Sequence, residues 1–431
     1  MFGLIDCDNF FCSCERVFRP DLARTPIVVL SNNDGCVVAR SKEVKAMGIR
    51  EGLPYYQLKE QYPDSGIVAF SSNYSLYGDM SARVMAVLRE EAPEVVQYSI
   101  DEAFLNLQGM EHYDLHKWGV DLCRKVEKCT GMPVSLGIAP TKTLAKVASK
   151  FAKRYPAYRK CCVIGNEYQR ETALRLFPVS DVWGIGRRIT RTLEYYGVKT
   201  AYDFTQRTQS WIRSKFHVTG ERTWRELMGE SVIDIDGLDT VEKKTIVTSR
   251  SFPGIITDID ELRPHVANYA ARCAMKLRKQ NSVCSMVTVF IQSNHFREDL
   301  PQYDNSASYS FMTSTNTTNE IVAISLAILA GIYRKGIHYK RAGIMVSGIS
   351  PDTAVQPDLF TYDPEKSRKF TAMSRTLDII NRKMGVDTVM LAAQQYSDKS
   401  EDGKSVKFVN AIRRAMKSPD YSTRLGAFTV G

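Results

Sequence analysis

Asp101 and Glu102 are adjacent carboxylates inside an apolar run, with Val95, Val96, Ile100, Ala103, Phe104 and Leu105 around them. Two like charges in a strand-like segment are costly to desolvate unless something opposes them. The segment is therefore either a plain hairpin, with strands over 95–99 and 103–107 and the acids at its turn, or a donor of two ligands to a divalent-cation site. A partner elsewhere decides. The chain starts with one: Phe2 to Asp8 reads as a short apolar strand that ends on acids, Asp6 among them.

The spacing of apolar residues predicts further strands at 27–30, 36–39, 134–138 and 161–164. It predicts helices over 14–18, 42–47, 81–91, 113–129 and 142–154. Asn33-Asp34-Gly35 is a tight-turn signal. Strands and helices alternate, so the first ~165 residues form an α/β domain, with 11–76 inserted after its first strand. Residues 170–230 are mostly helical. Residues 246–348 run strand, helix, strand, strand, helix, strand, the split β-α-β order of a separate small domain. From Ser350 the chain is broken by Pro351, Pro357 and Pro364, with one helix over 366–383. The stretch 396–404 is polar and predicted to be mobile.

A chain of 431 residues has room for two to four domains. Its net charge of +10 points to a polyanionic partner, nucleic acid first. The ten cysteines make no Cys-x-x-Cys pair and no zinc set, so they read as reduced core thiols. No apolar run approaches the ~20 residues of a membrane span. The expectation is a soluble cytoplasmic protein with no membrane contact.

Two stretches address phosphate. On the helix after Thr141, Lys142, Lys146, Lys150 and Lys153 share one face, opposite Leu144, Val147, Ala148 and Phe151. Such a stripe is a solvated face unless something anionic lies along it. Val182-Trp183-Gly184-Ile185-Gly186 then has the form of a helix-hairpin-helix, with Arg187, Arg188 and Arg191 following. Gly184 and Gly186 let backbone N–H groups approach a DNA phosphate, and the next helix offers its N-terminus. A plain helix-turn-helix packing element is the alternative.

Asp6, Asp101 and Glu102 suit two Mg²⁺ ions roughly 3.5–4 Å apart. One ion would activate an attacking hydroxyl and the other would steady a leaving pyrophosphate, so the cluster points to nucleotidyl transfer. Metal-free, the acids would repel one another, so the ions are expected to arrive with the nucleotide.

These residues carry a resemblance. Asp6-Cys7-Asp8-Asn9-Phe10-Phe11, the run from Leu30 to Arg40, Phe70-Ser71-Ser72-Asn73-Tyr74, the run from Tyr98 to Phe104, the run from Gly137 to Lys146, and Val182 to Arg188 together resemble the Y-family translesion DNA polymerases. Within these, the chain is similar to the UmuC-like catalytic subunits of DNA polymerase V, over nearly its whole length. The resemblance implies a multidomain α/β and α+β fold, a right-handed polymerase: palm from 1–10 and 77–166, fingers from 11–76, a helical thumb from 167–235, a split β-α-β little finger from 243–349, and a C-terminal tail from 350–431. It implies error-prone synthesis past damaged bases in an SOS-type response, from primer-template DNA and dNTPs.

Roles follow by position. Asp6, Asp101 and Glu102 match the catalytic metal ligands, and Cys7 the position that offers its backbone carbonyl to a metal. Phe11 matches the steric gate against a ribose 2′-OH. Lys45 and Lys153 match triphosphate ligands, and Cys36 and Val38 the small residues that roof the nascent base pair. Two positions depart from the family pattern: Lys42 stands where a Tyr is common, and Lys45 where Arg is common. Gln356-Pro357-Asp358-Leu359-Phe360 resembles a sliding-clamp peptide, with Gln356, Leu359 and Phe360 as its anchors and Pro357 in place of the commoner Leu. A UmuD-type dimer and a RecA filament are further implied partners. Two other function classes account for less of the sequence. A non-catalytic DNA-binding scaffold that recruits the clamp has no need of the acids, and a palm-type cyclase has no need of the thumb hairpin.

Overall fold

The computed structural model describes residues 1–110, 112–234, 242–353, 355–359, 362–385, 387–397, 406–407, 414–419 and 421. They form two compact units. The first holds the described residues up to 234 together with those from Arg414 onward, and the second begins at Glu242 and ends before Arg414.

The first unit opens on β1 (Phe2–Cys7) and α1 (Phe10–Val17). Then come β2 (Ile27–Leu30), β3 (Val37–Arg40), α2 (Lys42–Ala46), α3 (Tyr55–Gln61) and β4 (Val68–Ser71). The chain returns through α4 (Tyr74–Glu91), β5 (Glu94–Gln97), β6 (Glu102–Asn106), α5 (Leu115–Thr130), β7 (Val134–Ala139), α6 (Lys142–Arg154) and β8 (Cys161–Val163). A helical block of α7 (Glu167–Leu176), α8 (Arg187–Tyr195), α9 (Ala201–Thr205) and α10 (Gln209–Leu227) follows.

The main sheet has the order β5-β6-β1-β7-β8, which puts β1 in the centre. Strand alternation sends Leu4 and Phe104 to one face and Ile5 and Leu105 to the other. Helices α4 and α5 cover the Ile5 face, and α6 covers the Leu4 face. Gly137 on β7 makes that second layer possible. A Cβ there would sit 2.1 Å from the backbone nitrogen of Ser149 and 2.2 Å from the carbonyl oxygen of Ala145. Only a residue without a side chain lets α6 lie this close to the sheet. Thr141 caps α6, accepting from the Leu144 N–H, and the buried Glu226 carboxylate accepts from the Thr143 N–H.

The inserted segment holds a small sheet of order β3-β2-β4, with β2 and β4 parallel. Its helix α3 and strand β4 lie outside the elements expected from apolar spacing. Helix α1 begins at Phe10 rather than Cys14. The apolar run Phe10-Phe11-Cys12 reads like continued strand, but Asn9 takes the left-handed conformation (φ 51°) and turns the chain into a helix at once. Helix α4 begins at Tyr74 rather than Ser81, because the Asn73 side chain accepts from the Leu76 N–H and caps it.

The second unit contains β9 (Ile246–Ile256), α11 (Ile259–Lys279), β10 (Ser282–Ser293), β11 (Asp304–Thr315), α12 (Thr318–Ile332) and β12 (Tyr339–Pro351). Its antiparallel sheet has the order β11-β10-β12-β9, and α11 and α12 pack on each other and on the sheet. This is the expected split β-α-β order. Helix α13 (Pro364–Met384) docks here through a bidentate pair from Arg278 to Asp378 at 2.7 and 2.8 Å. Among the described residues no helix is long and apolar enough to cross a membrane. Cys129 is exposed and Cys36 half-buried; the other eight cysteines are buried. Of the segment expected to be mobile, residues 398–404 lie outside the described residues.

Candidate active site

The hairpin and the acid pair are one structure. Strands β5 and β6 are antiparallel, and residues 98–101 make the turn between them. Tyr98 and Ser99 donate their N–H groups to the Glu102 carbonyl, at 3.0 and 3.1 Å. The Ser99 hydroxyl donates to Asp101 Oδ1 at 2.6 Å. Asp101 thus sits in the turn and Glu102 opens β6. The Cys7 N–H donates to the Asp101 carbonyl at 2.9 Å, fastening the turn to the end of β1.

Register brings the third acid in. Asp6 on β1 lies directly opposite Glu102 on β6. Leu4 lies opposite Phe104 two residues along. Asp6 and Glu102 therefore share the face that α6 covers. The lysines of α6 meet them there. Lys153 Nζ is 2.5 Å from Asp6 Oδ1 and 3.7 Å from Asp8 Oδ1. Lys146 Nζ is 2.9 Å from Glu102 Oε2. The same ammonium stands over the rings of Tyr98 (4.5 Å) and Trp183 (5.2 Å). Lys150 pairs with Asp181 at 3.3 Å, and Lys142 donates to the Ile233 carbonyl at 2.6 Å. Each lysine of the stripe has an oxygen partner within this unit, although Lys150 and Lys153 remain exposed.

Burial raises the Asp6 carboxyl to about 7; Lys153 pulls it down, and Glu102 and Asp101 push it further up. Burial works against the Lys153 charge, but Asp6, Asp8 and Glu102 outweigh it and hold the ammonium above the ordinary lysine value. The Cys7 thiol is buried and pushed well above its usual range, first by burial and then by Asp6 and Asp101. It stays a neutral core thiol. Among the described residues no three His, Cys, Asp or Glu side chains converge as a ready-made metal cluster. Asp6 and Glu102 are paired with lysines instead, and Asp101 with the Ser99 hydroxyl.

Asp8 and Lys160 were not singled out by sequence. Asp8 accepts from Lys160 Nζ at 2.6 Å and from the Ser135 hydroxyl at 3.0 Å. Its signal was present only in part: Asp8 lies one residue past the end of β1, in the turn that leads into α1, so strand alternation alone does not aim it. Lys160 had no such signal, because it is placed by a left-handed backbone (φ 75°) after α6.

The expected nucleotide-contacting residues Phe11, Cys36, Val38 and Lys45 lie on the same unit. Phe11 is half-buried on α1, its ring stacked on Tyr77 with centroids 4.4 Å apart and edge-on to Tyr74 at 6.0 Å. Val38 borders the same apolar cluster as Phe11. Cys36 is half-buried just before β3, its N–H donating to the Ser31 hydroxyl at 3.1 Å. Lys45 Nζ donates to Asn9 Oδ1 at 2.5 Å. Burial, then Arg40 and Lys153, lower its pKa, which places Lys45 within electrostatic reach of Lys153.

Gly184 takes φ 92°, and a Cβ there would lie 2.7 Å from Thr223 Oγ1. Gly186 is the N-cap of α8, and Arg187, Arg188 and Arg191 project from it exposed. Trp183 Nε1 donates to the Tyr98 hydroxyl at 3.2 Å, so the glycine turn packs on the acid hairpin. In the second unit, Leu359 is 94% exposed and Gln356 is exposed with it; Phe360 lies outside the described residues.

The fold and the polymerase relatives define a DNA-directed DNA polymerase of the Y family. A Y-family chimera of Dbh and Dpo4 shares the fold with a TM-score of 0.66 at 18% identity, over 81% of this chain and 100% of that one. An insertion ternary complex of Dbh DNA polymerase does so at 0.52, with 18% identity and the same coverage. DNA polymerase IV 1 of Mesorhizobium japonicum is 27% identical over 88% of this chain and 84% of its own.

The chain belongs to the impB/mucB/samB family. That family's profile matches residues 5–150 and its C-terminal domain profile 243–359. Protein UmuC of Salmonella typhimurium is 42% identical over 98% of both chains. Protein ImpB of Salmonella typhimurium is 42% identical over 89% of this chain and 90% of its own. A third profile, for a domain of unknown function, matches 371–429.

Proposed function

We propose that this polymerase is an error-prone translesion enzyme of an SOS-type damage response, working by two-metal nucleotidyl transfer. The observation that carries the reading is the placement of Asp6 and Glu102 in register on neighbouring strands, with Asp101 in the adjoining turn and Lys153 and Lys146 against them. Three carboxylates and the Cys7 carbonyl are a set of hard oxygen donors, which fits two Mg²⁺ ions. Bound there, the ions would activate the primer 3′-OH and neutralise the leaving pyrophosphate.

The chain's own groups do the rest. Lys153 would exchange Asp6 for phosphate when a dNTP enters, and Lys45, within electrostatic reach of Lys153, would hold the triphosphate with it. The Phe11 ring lies against the sugar and excludes a 2′-OH. Cys36 and Val38 roof the base pair, and a roof of small side chains tolerates a damaged template at the cost of selectivity. The Gly184–Gly186 turn and Arg187 and Arg188 hold the duplex backbone. On this reading the main sheet is the palm, the 11–76 insert the fingers, the helices from 167 the thumb, and the four-stranded unit the little finger. The protein then works in the cytoplasm on nucleoid DNA.

Partner binding belongs to the same reading. Gln356, Leu359 and Phe360 form the sliding-clamp peptide, supported by the exposure of Leu359. Leu359→Ala should remove clamp pull-down and leave distributive synthesis intact; retained pull-down would mean that the peptide lies elsewhere. The test of the whole reading is extension of a lesion-bearing primer-template with dNTPs, with and without Mg²⁺, in the presence of a processed UmuD-type dimer and a RecA filament. Mg²⁺-dependent extension past the lesion is expected. Tight DNA binding without extension under those conditions would favour the scaffold instead.

A further inference from the structure

Two of the sequence motifs have residues with no part in the chemistry above: the turn Asn33-Asp34 and the stretch Phe70 to Tyr74. Both are occupied by the end of the chain. Ser71 and Met416 exchange two hydrogen bonds: the Ser71 N–H donates to the Met416 carbonyl at 3.0 Å, and the Met416 N–H donates to the Ser71 hydroxyl at 2.9 Å. Ser71 also forms a parallel bridge with Lys417, at the end of the sheet's outer strand β4. The Ala415 N–H donates to Asp34 Oδ2 at 3.0 Å. The Tyr55 hydroxyl lies 3.6 Å from Met416 Sδ. Tyr421 stacks on Phe18 at 4.4 Å with the rings 5° apart.

Ser418 lies deepest, at 5% exposure. Its hydroxyl accepts from Asn73 Nδ2 at 3.0 Å. Asn73 is the residue whose Oδ1 caps α4, and α4 carries Tyr74 and Tyr77, the two rings around Phe11. A second path runs through Glu15, on the same helix as Phe11 and one turn beyond it. The Tyr77 hydroxyl donates to Glu15 Oε1 at 2.8 Å. Glu15 Oε2 is buried with no partner at hydrogen-bonding geometry. The Ser418 hydroxyl lies beside that carboxyl as a dipole that offsets part of the burial cost. Both paths from Ser418 therefore end on the aromatic wall that fixes Phe11.

We propose that residues 414–419 together with Tyr421 are a strap docked on the fingers, and that Ser418 is a positioning residue which holds the Phe11 wall in place for sugar selection. The inference rests on the reading of Phe11 as the steric gate. It gives a structural part to residues 414–419 and 421, within the segment matched as a domain of unknown function.

The test uses the full chain with Ser418→Asp and, separately, Tyr421→Ala. The first sets a carboxylate against buried Glu15, and the second removes the stack on Phe18. Either should loosen the strap without touching the acids or lysines. Amide exchange over 74–80 should quicken by ~10-fold or more. Preference for dNTP over rNTP should fall ~5-fold, with kcat/KM for the dNTP changing less than that. In a Phe11→Ala background Ser418→Asp should add nothing, because both act through one ring. If Phe11→Ala relaxes sugar selection while Ser418→Asp and Tyr421→Ala keep the wild-type preference, the strap has no such role. If Phe11→Ala itself leaves the preference unchanged, the gate reading fails first, and the two failures are told apart by that single variant.

Discussion

Asp101→Ala should lower kcat/KM for nucleotide addition by about 10³-fold or more, equivalent to about 4 kcal/mol of transition-state stabilisation. The protein should remain folded. The Asp101 side chain accepts from the Ser99 hydroxyl at its turn, and the bond that fastens the turn to β1 uses the backbone carbonyl, which alanine keeps. The stability cost should stay near ~1 kcal/mol, that of one partly exposed hydrogen bond. Asp101→Asn separates charge from shape. It keeps an oxygen for Ser99 and the same volume but halves the metal-binding capacity, so it should be nearly as inactive as alanine. Single-nucleotide extension at saturating Mg²⁺, beside a thermal melt, reads both. Activity of Asp101→Ala within tenfold of wild type would remove Asp101 from the metal site.

The reason for expecting so large an effect is also the reason the site could be read from sequence. A hairpin with two acids at its turn is a local feature, and the partner strand carrying Asp6 starts the chain. The four lysines lie on a single helix whose periodicity was plain. What periodicity could not supply was their destinations. Lys153 reaches Asp6 and Lys146 reaches Glu102 only because Gly137 lets α6 settle on the sheet. The insert was read poorly for a related reason. Strand β4 pairs with β2 in parallel, so no tight turn announces it. The bonds from Ser71 and Asn73 to Met416 and Ser418 span 345 residues. Nothing in the local pattern at either end points to the other.

The lysine contacts also bear on how the enzyme rests between turnovers. With Asp6 held on Lys153, Glu102 on Lys146 and Asp101 on the Ser99 hydroxyl, the acids need no metal to remain close to one another. On the proposed two-metal reading, a nucleotide arriving with Mg²⁺ would supply both a new cation for Asp6 and new anions for Lys153. Loading the site would then exchange the Lys153–Asp6 and Lys146–Glu102 ion pairs for new ones rather than charge an empty cluster, which would spare the site an unpaired buried charge.

Phe11→Ala should let ribonucleotides in. The ring is fixed from two sides, stacked on Tyr77 at 4.4 Å and edge-on to Tyr74 at 6.0 Å, so it cannot swing away from a sugar at low cost. A fixed wall excludes a hydroxyl by clash, which is worth more than the weak preference of a merely apolar pocket. Removing it should reduce the preference for dCTP over rCTP by about 10²-fold, mostly through a gain for rCTP. The half-buried ring also packs on the core, so a loss of about 1–3 kcal/mol in stability should accompany the change. Phe11→Leu tests which property matters: it keeps much of the volume but loses the flat stack on Tyr77, and it should fall between the two. Equal discrimination in wild type and Phe11→Ala, measured by single-nucleotide kinetics with dCTP and rCTP, would place the gate on another residue, and Tyr74 and Tyr77 would be the next to substitute.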